Sequence, residues 1–349
     1  MWQQRWAAVI ARASTRVEGA HSTVKASLLV DCTVAARLRA ELSPGKLNLM
    51  CRIMFAAFAA SATLSPLAAQ DVPGRQLFDF PLGTLAEAPA LASAAGGGFW
   101  NPATIALRGG DRFLISAAAL NSPIEQGISS ELGTAAYQVR PGITVGLSVA
   151  MSGVRDLLRT ETDPQSIGDA IPFNSTIVSG MLAAERGPAT FGLALRRRTG
   201  TVDLTYGRVT SVDVGATVDR PRGLPFRAAL ATFLLSPSRR LERASAVGAL
   251  EGYLPLSMSN ARVGASYQRD EGSGTERFIY AAGRAGPLDL RGGFARHTAF
   301  GSSTTRVRLG VGVHYAHYLV GVAREDGTAG LGASFQFVLK TVIQKGLTP

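Results

Sequence analysis

From about Arg112 to the C-terminus, aliphatic or aromatic residues alternate with small or polar ones, in segments roughly ten residues long. In residues 305–315 the odd positions Val307, Leu309, Val311, Val313 and Tyr315 are apolar, and the even ones are Arg306, Arg308, Gly310, Gly312 and His314. Successive side chains on a strand point to opposite faces, so such a segment sets one face in lipid or core and the other in a polar medium. The same alternation returns in residues 143–152, 190–196, 211–218, 262–268 and 331–339. Its polar face is rich in Gly, Ser, Thr and Arg, while the apolar face of these segments carries no arginine. A lumen that accepts arginine behind a lipid-facing side predicts an all-β, transmembrane, antiparallel up-and-down barrel.

The punctuation fits that architecture. Arg140-Pro141-Gly142, Arg186-Gly187-Pro188, residues 219–223, Ala285-Gly286-Pro287 and Glu325-Asp326-Gly327 read as compact turns, whereas residues 153–172 and 236–249 read as long polar loops. The pattern predicts 12 to 14 strands, an even number within residues 112–340, followed by a tail at 341–349. Tyr137, Tyr206, Tyr267, Tyr280, Tyr315 and Tyr318 lie near strand ends and are the expected interfacial aromatics.

Residues 71–111 differ from the rest. Pro73, Pro81 and Pro89 precede a run of alanines and Gly96-Gly97-Gly98, a composition expected for a plug-like or periplasmic segment ahead of the barrel, with a short helical turn opened by Pro89. Further upstream, residues 53–67 are apolar and alanine-rich, follow Lys46 and Arg52, and lead to Ala68-Ala69-Gln70. That arrangement reads as a secretory signal over 50–70, cleaved near Ala69 or Gln70. Initiation at Met50 or Met54 would make residues 1–49 a non-native or unstructured extension; a transit peptide and a buried alanine helix are the alternatives.

Composition narrows the class further. Charged residues are 17% of the chain, against about 25% in typical soluble proteins. The formal charge of +11 points at first to nucleic acid, but removing residues 1–70 leaves 28 Lys/Arg against 22 Asp/Glu, a net +6. The densest basic run is Arg196-Arg197-Arg198, which reads as a solvated strand end rather than a phosphate site. Both cysteines, Cys32 and Cys51, precede Gln70, so the processed chain has no disulfide framework, thiolate metal site or cysteine nucleophile.

Two stretches carry a family resemblance. Trp100-Asn101-Pro102-Ala103, within GGGFWNPATIAL, resembles the WNPAGLA sequence ahead of the first strand in the FadL/PorV superfamily of outer-membrane barrels, departing from it at Thr104-Ile105. Residues 211–221, 254–268, 288–294 and 307–322 are similar, in the same order, to strands of PorV-like proteins. The resemblance implies a 14-stranded barrel with an N-terminal plug in the bacterial outer membrane, reached after Sec-dependent export. It also implies one of two functions. FadL-type members pass hydrophobic or amphipathic small molecules, and PorV-type members are accessory or docking barrels of a type IX-like secretion system. The partners expected are accordingly outer-membrane lipid, a hydrophobic ligand or secretion-system proteins, and not nucleic acid. A soluble secreted β-protein is the third reading.

No catalytic or cofactor motif is legible, so the chain reads as a non-enzyme without cofactor. His314 and His317 are three apart, on opposite faces of a strand, and are not expected to hold a metal. The candidate site is the set of lumen charges: Arg262, Arg291, Arg306 and Arg308 share the polar parity of their strands, with Asp213 and Asp289 as the expected partners. They read as a network that stiffens the wall, or else as a path favouring the carboxylate head of an amphipathic ligand. On the second reading, exchanging Arg306 and Arg308 for Gln lowers uptake without loss of the barrel.

Overall fold

The alternating segments hydrogen-bond into a single closed sheet. In the computed structural model, which describes residues 80–123, 126–155, 157, 171–233, 245–254, 260–270, 274–299, 301–327 and 332–344, each strand pairs antiparallel with its sequence neighbours. The strands are β1 (Asp111–Asn121), β2 (Ile128–Arg140), β3 (Ile143–Val154), β4 (Phe173–Arg186), β5 (Ala189–Val202), β6 (Thr205–Asp219) and β7 (Phe226–Phe233). They continue as β8 (Ser245–Tyr253), β9 (Arg262–Asp270), β10 (Gly274–Ala285), β11 (Leu288–Ala299), β12 (Ser302–Tyr315), β13 (Tyr318–Glu325) and β14 (Ser334–Gln344). Pairing of β1 with β14 closes the ring and leaves no free sheet edge. The expected signal peptide, the extension before it and residues 71–79 lie outside the described residues.

Fourteen strands is the upper end of the range the pattern predicts. Two boundaries move. Residues 236–249 were expected to be one loop, but β8 begins at Ser245, where alternating Ser245, Val247 and Ala249 turn inward; their low contrast with Ala246 and Gly248 hides the period. The tail expected from residue 341 is partly strand. Thr341, Val342 and Ile343 pair with Ile115, Leu114 and Phe113, so β14 must run this far to cover the start of β1.

The outward parity is the apolar one. Ile279 and Phe294, each 63% exposed, and Leu309, 52% exposed, belong to a continuous apolar surface that includes Leu147, Phe191, Leu230 and Phe337. Soluble proteins do not leave an apolar surface of this extent in water, so the band requires lipid. From Val307 to Tyr315 it rises roughly 20 Å at an ordinary strand tilt. Tyr206, Tyr267, Tyr315 and Tyr318 are exposed at the ends of this band. Tyr280 is not among them. It faces inward, 2% exposed, between Gly264 and Gly293 on the neighbouring strands, whose missing side chains leave room for its ring.

The inward parity is small: Ala118, Ala136, Ala150, Ala194, Ala231, Ala295 and Ala323 are all buried. A wall lined with alanine leaves the barrel's interior unfilled by its own strands. The space is occupied by residues 80–107, which run through the lumen with only short 3-10 turns at Pro89–Leu91 and Pro102–Ile105. Phe99, Trp100 and Phe233 pack at its centre with ring centroids 5.2 to 5.4 Å apart. Burying each such ring contributes about 2 kcal/mol or more, so plug and wall form one core.

The two rims differ. Connections at the terminus-bearing rim, where β1 begins and β14 ends, are residues 141–142, 187–188, 220–225, 254–261, 286–287 and 316–317. Those at the opposite rim are 122–127, 155–172, 203–204, 234–244, 271–273, 300–301 and 326–333. The longest connections therefore share one end, which also takes the Glu325-Asp326-Gly327 turn into a longer loop.

Candidate functional site

Residues Trp100 to Ala103 form the centre of the plug. Asn101 has extended backbone and caps the second 3-10 turn: the Ala103 N–H donates to its Oδ1 at 3.0 Å. Pro102 occupies the first position of the turn, where no N–H is needed. The other half of the Asn101 amide donates to Ala90 O at 2.8 Å, and Trp100 Nε1 donates to Leu82 O at 2.8 Å. One short motif thus fastens both earlier limbs of the plug.

The wall is shaped to receive it. Gly192 and Gly215 are cross-strand partners on β5 and β6, directly under the motif. A Cβ on Gly215 would lie 1.9 Å from Asn101 Oδ1, and one on Gly192 would lie 2.2 Å from the backbone at Pro102 and Ala103. Gly215→Val is therefore expected to expel the motif while leaving the barrel closed. Trp100 is the only tryptophan after residue 70, so its emission should shift to the red as protease begins to cut within 80–107. An unshifted, protected plug would show that the two glycines do not seat it.

Around this core the buried charges form separate, balanced groups. Arg196 on β5, fully buried, bonds Asp213 through Nε, the Ser179 hydroxyl through Nη1 at 2.9 Å and Phe99 O on the plug through Nη2. Its guanidinium also lies 5.0 and 4.7 Å from the Phe99 and Phe233 ring centroids. Arg308 donates to both oxygens of Glu276 at 2.8 Å and also to Glu325, which accepts from Arg306 at 2.9 Å.

The largest group gathers on the plug carboxylate Glu87. It accepts from Arg291 Nη1 at 2.7 Å, from Arg227 Nη2, and from the Ser93 N–H and hydroxyl at 2.9 and 2.8 Å. Arg262 lies 3.9 Å from Glu87 and 3.4 Å from Glu251; Glu251 also holds Arg227 and accepts from the Tyr280 hydroxyl at 2.7 Å. Asp289 pairs with Arg291 at 2.8 Å. Burial would push the Glu87 carboxyl up, but Arg291, Arg227 and Arg262 together overcome it and hold the group at about 2, against an ordinary 4.5. Plug and wall are thus joined by a carboxylate that stays ionised.

All six charges read from parity face inward, but their partners differ from those expected. Arg291 and Asp289 meet directly. Asp213 serves Arg196 instead of the four arginines, because a bond along β5 and β6 reaches it and those on β9, β11 and β12 do not. Arg306 and Arg308 share Glu325. The Arg196-Arg197-Arg198 run is no solvated strand end: strand parity buries Arg196 and Arg198 and turns only Arg197 outward. Arg227, Glu251, Glu276 and Glu325 were also missed, although each lies on the inward parity of its strand. Glu87 had no such signal, since it sits in irregular chain.

Next to the Glu87 group, a polar cavity of about 550 Å³ opens at the terminus-bearing rim. Arg220, Arg262, Arg284, Arg291 and Lys340 line it against Asp111 and Asp289, with His314 and His317 at its mouth. Lys340 Nζ donates to Ser93 O of the plug at 2.6 Å, and this contact also borders a second space of about 250 Å³ between plug and wall. The cavity suits an anionic or amphipathic group. Among the described residues no cluster of His, Cys, Asp and Glu has the geometry of a metal site.

No family model matches the chain, and no curated protein does. Solved structures do resemble it. The toluene transporter TodX of Pseudomonas putida superposes with a TM-score of 0.53 at 10% identity, over 80% of this chain and 99% of that one. The outer membrane protein Omp33 of Acinetobacter baumannii gives 0.42 at 9% identity, over 67% and 98%. A Rhodopseudomonas blastica porin gives 0.38 at 10% identity, over 66% and 99%. At such identities the likeness is one of fold, that of an outer-membrane β-barrel.

Proposed function

We infer that this chain is an outer-membrane transport barrel in its closed state, which admits hydrophobic or amphipathic small molecules when the plug shifts. One observation carries the reading: the lumen is closed by a discrete segment, residues 80–107, pinned to the wall through side chains rather than built into the sheet. Displacing it exposes a wall in which alanines and Phe278 alternate with arginine–carboxylate pairs, a surface matched to a molecule with an apolar body and an anionic head. The basic cavity at the terminus-bearing rim gives that head a place to rest. TodX, similar in fold, is a toluene transporter, which agrees with this reading.

A docking role for secreted proteins is the second reading, favoured by how completely the lumen is filled: Leu82, Leu85, Ala90, Phe99 and Asn101 have no measurable exposure. Flux separates the two. In proteoliposomes the barrel is expected to pass a medium-chain alkyl carboxylate, and Arg220→Gln with Arg284→Gln to slow it severalfold while sparing the alcohol of equal chain length. Absence of flux, even from a variant with a loosened plug, would overturn transport and leave docking.

A further inference from the structure

On the outer face of the loop-bearing half the charged strand residues are arginines, with Glu131 on β2 the exception among the described residues. Arg277 on β10 and Arg296 on β11 are direct cross-strand partners, both exposed on the lipid-facing parity. Arg269 on β9 is the diagonal neighbour of Arg277, which faces Tyr267, while Arg269 faces Thr275. Around the ring, Arg197 on β5 and Arg208 on β6 repeat the diagonal arrangement, through Arg197 opposite Thr210 and Thr199 opposite Arg208. One step towards the barrel's middle, Ile279 faces Phe294, so the arginines begin where the apolar band ends. Tyr267, exposed beside Arg277, marks the same interface.

Like charges set directly opposite on a sheet repel and destabilise it. No carboxylate of the described side chains lies within ion-pair distance of Arg197, Arg208 or Arg277, and Arg296 spends one N–H on the Ser303 hydroxyl at 2.7 Å. The guanidinium forks face outward at the depth of lipid headgroups, where an external anion can reach them. Phosphate fits: it accepts bidentate pairs from more than one guanidinium at once. We propose that Arg269, Arg277 and Arg296, with Arg197 and Arg208 as a second patch, dock the phosphates of a phosphorylated glycolipid in the leaflet at the loop-bearing end. The inference rests on the barrel lying in an outer membrane with its long loops outward, but not on what the lumen carries.

Purified barrel in neutral detergent, mixed with diphosphorylated lipid A, tests this by the lipid retained after gel filtration and by the shift in thermal unfolding. The intact protein is expected to retain the lipid and unfold at higher temperature. The triple variant Arg269→Gln/Arg277→Gln/Arg296→Gln should retain about tenfold less. Arg140→Gln, at the opposite rim, should bind as the unaltered protein does. Equal retention by the triple variant, equal stabilisation by phosphatidylcholine, or full competition by millimolar inorganic phosphate without lipid retention would each overturn the proposal. Because the readout is lipid binding, it stands or falls separately from any flux measurement.

Discussion

Glu87→Gln is expected to free the plug while leaving the barrel intact. In the unaltered protein this carboxylate offsets Arg291, Arg227 and Arg262 in a buried group that also contains Glu251 and Asp289. Neutralising it leaves three guanidinium groups against two carboxylates, and the new amide turns donors towards donors. Breaking a buried pair in this way costs about 3 to 5 kcal/mol. The wall retains its own pairs, Arg227 with Glu251 and Arg291 with Asp289, so the cost falls on the contact between plug and wall. Planar-bilayer conductance should rise and Trp100 emission should move to the red, while the folded band on unheated gels persists. A variant as silent and protected as the parent would mean that Glu87 does not hold the plug.

The same residue sets a pH dependence whose sign follows from its ionisation. The folded-state carboxyl lies at about 2 and the ordinary one at 4.5, so its contribution is complete above about 4.5 and disappears as pH falls towards 2. Conductance of the parent is therefore expected to stay flat from neutral pH to about 5 and to rise in the acid range. Glu87→Gln should already be high at neutral pH. The difference between parent and variant isolates the share of Glu87.

Arg196→Met is expected to damage the whole fold rather than the plug alone. The side chain is fully buried and satisfies Asp213, Ser179 and Phe99 O together. Methionine fills the volume between Phe99 and Phe233 but leaves Asp213 charged in the core, at about 3 to 5 kcal/mol. Arg196→Met combined with Asp213→Asn should recover most of that loss, because the stranded charge goes with its partner. Urea unfolding of the two single variants and the double one in lipid measures the coupling. Strict additivity would show that the pair is not what makes Arg196 necessary.

The strand framework was legible because a membrane barrel writes its two environments into alternate residues. Residues 305–315 are clear for that reason, and residues 245–249 are obscure because Ala and Gly fit either side. Parity also found Arg262, Arg291, Arg306, Arg308, Asp213 and Asp289, since it is a property of one strand. Who bonds whom is a property of neighbouring strands and of the plug, so Arg196 with Asp213 and Arg308 with Glu276 were out of reach. Arg306 and Arg308, read as wall-stiffening charges or else as a path, bond Glu276 and Glu325; replacing Arg308 tests stability before it tests uptake. Residues 100–103 were recognisable as a motif, but not the glycine pair that receives it, because Gly192 and Gly215 look like any other small positions of β5 and β6.

The pairing of β1 with β14 also constrains the order of assembly. The sheet cannot become a ring until its last strand has been delivered, and the segment that fills the ring lies immediately before its first. The plug is thus tethered at the rim where β1 begins, and Phe99 and Trp100 can reach the inner side before β14 meets β1. A ring that closes only with its last strand leaves the plug the whole of strand assembly in which to find its seat.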